Sequence, residues 1–131
     1  MNYEVIEIKG KEYKLRLRAI DQISLKNKLG KSLLEVVSSM QESDNPLEAF
    51  DLELLIIILT YALKAHHKEV KEKEVYDLFD QYVDEGNTMF DLFQVIMKVF
   101  AVSGVLPDVT GLMNELNVDL TAGVMNNDTN M

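Results

Sequence analysis

Strict alternation of apolar and polar residues marks the start of the chain. From Glu4 to Ile8 and from Tyr13 to Leu17 it predicts two short strands, joined at Lys9-Gly10-Lys11-Glu12. Ile6, Ile8, Tyr13, Leu15 and Leu17 share one face, and Glu7, Lys14, Arg16 and Arg18 share the other. An isolated hairpin is marginal in water, so the apolar face must rest on helices or on another chain. The Lys/Arg face suits either an acidic partner or a solvated strand face with a cross-strand Glu–Arg pair.

The spacing then turns helical. Ala19 to Leu29 predicts a short helix with Ile20, Ile23 and Leu25 or Leu29 inward, stopped by Gly30. Ser32 is placed to cap a second helix, Leu33 to Met40, which presents Leu33, Leu34, Val36, Val37 and Met40. After the polar loop Gln41-Glu42-Ser43-Asp44 comes the most apolar segment. Asn45 as N-cap, Pro46 at the first helical position and Glu48 as a capping acid predict one long helix running to His67. Glu53, Thr60 and Lys64 form its one narrow polar stripe. A membrane span needs about 18 or more consecutive apolar residues. Asp51, Glu53 and Lys64 cut this run short, so no span is expected.

The mixed-charge connector Lys68 to Glu74 leads into a helix over Lys73–Glu85, with Val75, Leu78, Phe79, Tyr82 and Val83 on the inner side. Glu74, Asp77, Asp80, Asp84 and Glu85 lie opposite. Acids at a helix C-terminus oppose the macrodipole, which points to a basic partner or to a frayed end. Thr88 opens a further helix, Met89 to Val102, by a capping-box pattern with Asp91. Only Asp91, Gln94 and Lys98 interrupt its apolar surface. Two helices in this small chain are therefore apolar over most of their circumference. Both can be core only if the others cover them; otherwise part of that surface meets another subunit or a partner. The fold expected is mainly α: a bundle of about five helices with an N-terminal β-hairpin, one domain over 1–104. A weakly structured acidic tail is expected over 105–131.

Composition narrows the partners. The net charge is −9 over 131 residues. Residues 1–30 carry 7 basic and 4 acidic side chains, whereas residues 105–131 carry no Lys or Arg. An acidic body repels phosphate backbones and anionic membranes, so neither nucleic acid nor membrane is expected as partner. There is no cysteine, which fits a reducing cytoplasm. No basic and apolar leader opens the chain, and no signal peptide is expected.

Chemistry is sparse. His66-His67 is the only histidine pair. Adjacent helical residues diverge by about 100°, so the pair suits contacts with the last helix carbonyls better than a shared metal. The Asp77/Asp80/Asp84 stripe cannot wrap a cation as a loop does. No phosphate-binding, nucleophile-elbow or zinc motif is present. No enzyme activity, cofactor or metal is expected.

Four stretches carry a resemblance: Ile8-Lys9-Gly10-Lys11-Glu12-Tyr13-Lys14-Leu15-Arg16-Leu17, Leu29-Gly30-Lys31-Ser32-Leu33, Val75 to Gly86, and Val95 to Gly104. In this order and spacing, over about residues 4–104, the chain resembles the small tail assembly chaperones of long-tailed, siphovirus-like phages and prophages of Gram-positive bacteria. The resemblance implies a non-catalytic protein of the host cytoplasm. It would bind the tape measure protein, keep its apolar helices soluble, help recruit tail tube protein and leave the finished tail. In many such phages a ribosomal frameshift yields a longer second product, so this chain would be the short form. The apolar helices and the negative charge fit such a holdase and a homo-oligomer held by apolar helix surface. The contact residues expected are Leu54, Ile57, Ile58 and Tyr61 of the central helix with Phe90, Phe93, Met97 and Phe100 of the last, the hairpin being a second contact. The alternative is an acidic host-directed regulator or inhibitor that offers its Glu74–Glu85 face to a basic protein.

Overall fold

The computed structural model describes residues 2–106. They run β1 (Glu4–Ile8), β2 (Lys11–Leu15), α1 (Ala19–Leu29), α2 (Leu33–Gln41), α3 (Pro46–Ala49), α4 (Leu52–Leu63), α5 (Glu72–Asp84) and α6 (Met89–Val102). The architecture is mainly helical with an N-terminal antiparallel hairpin, as the patterning predicts. Of the tail expected over 105–131, Val105 and Leu106 pack against the core. The rest lies outside the described residues.

β1 and β2 pair with Ile6 opposite Tyr13 and Ile8 opposite Lys11. The link is shorter than expected, because Lys11 and Glu12 belong to β2. The turn is Lys9-Gly10 alone, with φ of 52° and 76°. Two successive positive φ values give the turn whose twist matches the strands. All five residues of the expected inner face, Ile6, Ile8, Tyr13, Leu15 and Leu17, are buried.

The outer face departs from expectation. Glu7 stands opposite Glu12, so the cross-strand Glu–Arg pair does not form. Arg16 instead donates from Nη1 to the carbonyls of Asn2 at 2.8 Å and Val102 at 3.0 Å. A guanidinium on the last carbonyl of α6 satisfies an acceptor that the helix cannot. Arg18 grips Asp21 through Nε–Oδ2 at 2.8 Å and Nη2–Oδ1 at 3.0 Å. That carboxylate raises the Arg18 pKa. These two arginines thus tie the hairpin to helix ends.

The long central helix is interrupted. α3 is a single turn, and α4 starts afresh at Leu52 with Asp51 as N-cap, its carboxylate accepting from Leu54 N–H at 2.9 Å. The break turns Phe50 inward. Its ring is fully buried, edge-on to Phe93 at 5.3 Å between centroids and 6.2 Å from Phe100. Such aromatic pairs add about 0.5–1.5 kcal/mol beyond area burial. α4 ends at Leu63, short of the histidines.

α6 spans the expected residues, with the Thr88–Asp91 capping box formed. Ser32 and Glu35 form another at α2. α1 ends at Gly30, whose φ of 77° allows its N–H to reach the Lys26 carbonyl at 2.8 Å. α4 lies against α1, α5, α6 and β2. Leu55, Ile56, Ile58, Leu59, Ala62 and Leu63 are buried as a result. Thr60, expected on a polar stripe, is buried too, and its hydroxyl donates to the Ile56 carbonyl at 2.8 Å. That internal bond removes the cost of burying the hydroxyl.

Candidate functional site

The structure divides the eight expected contact residues in two. Ile58, Phe93, Met97 and Phe100 are each 0% exposed. They belong to the core and have no surface to give a partner: Ile58 sits on α4, which α1, α5, α6 and β2 surround, and the other three sit on α6, which packs on α4 and β1. Leu54, Ile57, Tyr61 and Phe90 are partly covered at the edge of that core.

Ile57 and Tyr61 help line a cleft of about 460 Å³. Arg18 and Lys28 bound it on one side, and Lys64, Lys68 and Lys71 on another, with Glu72 as its one carboxylate. Lys64 Nζ sits 4.1 Å from the centroid of the Tyr61 ring. A cationic cleft in a chain of net charge −9 is a local reversal of sign.

The exposed apolar surplus lies elsewhere. Ile20 is 60% exposed and Ile23 and Leu34 are 58% exposed. Sequence patterning places the isoleucines inward, yet α1 buries Leu25 and Asp21 and turns Ile20 and Ile23 to solvent. Ile20 and Ile23 are three residues apart on one side of α1. Ile23, Leu33, Leu34 and Val105 line a shallow groove of about 270 Å³ between α1, α2 and the end of α6. The groove is mostly apolar, with Gln22, Lys26 and Ser32 also in its lining. Large exposed aliphatic groups gathered on one face are uncommon on a self-sufficient surface. A signal for them was present. At 100° per residue, Ile20 and Ile23 lie nearly opposite Leu25 and Leu29, so both pairs cannot face inward.

The histidines brace the hairpin. His67 Nε2 accepts from Lys14 N–H at 2.9 Å, and its ring lies 5.2 Å from Tyr13. His66 packs edge-on against Tyr3 at 5.5 Å. The expected partners, the last helix carbonyls, take backbone N–H groups instead: His66 and His67 N–H both donate to Leu63 O. Among the described residues no group of three or more His, Asp or Glu could hold a metal ion.

On α5, Glu74, Asp77, Asp80 and Asp84 are exposed. Val83, expected inside, is exposed, whereas Val75 and Tyr82 are buried. Burial, with a smaller push from Asp91, raises the Tyr82 phenol to about 12. Glu85, just past the helix end, accepts from Lys9 N–H in the hairpin turn at 2.7 Å. The acid that opposes the helix dipole therefore has an internal task.

Among the described residues no helix is long and apolar enough to cross a membrane. A family of unknown function, DUF6096, matches residues 3–121, and the chain belongs to that family. The match extends past residue 106 into the segment read from the sequence as a tail. No curated protein and no solved structure matches the chain.

Proposed function

We propose that this DUF6096 member is a non-catalytic assembly chaperone that holds an apolar helical partner, the tape measure protein of a phage tail, and hands it on to tail tube protein. The observation that carries this reading is the pair of solvent-exposed side chains Ile23 and Leu34 lining the α1–α2 groove, with exposed Ile20 one turn before Ile23 on α1. A holdase needs apolar surface that its own core does not consume, and this face is that surface. The sequence resemblance to tail assembly chaperones supplies the partner's identity. The partly covered Leu54 and Phe90 offer less area. Fully burying one such aliphatic side chain contributes about 1.5–3 kcal/mol. Ile20, Ile23 and Leu34 each still have more than half of their surface to bury against a partner.

A pull-down of the tape measure protein at low and high salt tests the reading. Apolar capture through α1 and α2 predicts retention at both. Binding that disappears at high salt belongs to a charged face such as that of α5, and overturns the proposal.

A further inference from the structure

We propose that the cleft between α1, α4 and the start of α5 is a binding site for a phosphate-bearing small molecule. The proposal is independent of the chaperone reading and uses a different part of the surface.

Five of the chain's 13 basic residues line this cleft, with Glu72 as the only acid. Arg18 is already engaged by Asp21 through two bonds, so it serves as wall. Lys28, Lys64, Lys68 and Lys71 are different. Among the described residues the two ion pairs within 4.0 Å are Arg18–Asp21 and His67–Glu69, so none of these four ammonium groups has a carboxylate partner. Four like charges around one concavity repel each other, an arrangement that an anion would relieve.

The lining also suits more than a bare ion. Ile57 and Val70 form an apolar wall, and the Tyr61 ring carries Lys64 Nζ over one face at 4.1 Å. That contact anchors one ammonium group over the site. A volume of about 460 Å³ falls within the range of small-molecule sites, about 300–1,000 Å³. A polypeptide helix about 10–12 Å across would call for a longer trough. Lysines present point charges, which match multiply charged phosphate oxygens. The acidity of the rest of the chain disfavours extended nucleic acid, whose phosphates would continue beyond the cleft.

Calorimetric titration of the full chain with inorganic tripolyphosphate, and separately with ATP, tests the site at low salt. Saturable binding of either probe at one per chain is expected. The double variant Lys64→Gln/Lys68→Gln should weaken it by at least about tenfold. Lys98→Gln, on exposed α6 surface outside the cleft, should leave it unchanged. Lys68 is exposed and Lys64 half-buried over the Tyr61 ring, so the double variant should melt within about 5 °C of the wild type and its loss should report binding. Silence of both phosphates overturns the proposal, as does equal affinity in the double variant. Binding of a poly-glutamate peptide with both phosphates silent would assign the cleft to an acidic protein segment and equally overturn it.

Discussion

The backbone N–H of Lys14 on β2 donates a 2.9 Å hydrogen bond to Nε2 of His67, beyond the end of α4. The ring can accept only while that nitrogen is unprotonated. Burial lowers the His67 pKa from the ordinary 6.5; Glu69 opposes the shift, while Lys11, His66 and Lys14 add to it. The unfolded chain therefore takes up this proton first as pH falls. Stability from His67 is complete above about pH 6.5 and is lost as pH drops below that value through the lower folded pKa. Thermal melting should show a fall in melting temperature as the pH drops below about 6.5. His67→Gln should flatten that dependence; an unchanged slope would contradict the assignment.

Phe50 and Phe93 supply a second prediction. Their edge-on contact at 5.3 Å exists because the central segment breaks before Asp51. Phe50→Ala or Phe93→Ala should cost about 3–5 kcal/mol in urea unfolding. Ile20→Ser, on exposed surface, should stay within about 0.5 kcal/mol. A small effect at Phe93 would return that residue to the surface role that the sequence suggested.

The sequence conveys regular elements well and their interruptions poorly. α6 and its Thr88–Asp91 box were legible because cap and periodicity agree there. The break at Phe50-Asp51 was not. Asp51 lies about 160° from the Glu53–Thr60–Lys64 stripe and reads as a charge bounding the apolar run, while Pro46 already supplies a plausible start. The role of Arg16 escapes the sequence for another reason: its acceptor Val102 lies 86 residues away, beyond the reach of local pattern. Of the candidate surfaces, Ile57 and Tyr61 were visible in sequence, but the cationic cleft was not. Lys28 belongs to one helix and Lys68 to a connector, and only the packing of α1 beside α4 brings them together. The exposed isoleucines escape a pattern that sends every apolar residue of α1 inward, because one face cannot hold Ile20, Ile23, Leu25 and Leu29 together.

A third prediction concerns the hairpin turn. Lys9 takes a φ of 52°, where a non-glycine residue is disfavoured by about 1–2 kcal/mol. Lys9→Asn keeps the backbone N–H that Glu85 accepts from and supplies the residue that this turn type favours. It should raise stability by up to about 1 kcal/mol in denaturant unfolding. Lys9→Pro removes that donor and should destabilise the chain.

The proposal extends to self-association through the same exposed face. Light scattering should detect an oligomer of the wild-type chain that Ile20→Asp/Ile23→Asp reduces, because two carboxylates must then be desolvated at the contact. A strict monomer at high concentration would remove the homo-oligomer from the account.

The central claim is that apolar surface on α1 and α2 holds a tape measure protein in solution. Co-expression measures it directly. The soluble fraction of the tape measure protein should rise with the wild-type chain and fall back to the level without chaperone when Ile23→Asp/Leu34→Asp is co-expressed instead. Equal soluble fractions with the wild-type chain and with none would contradict the account.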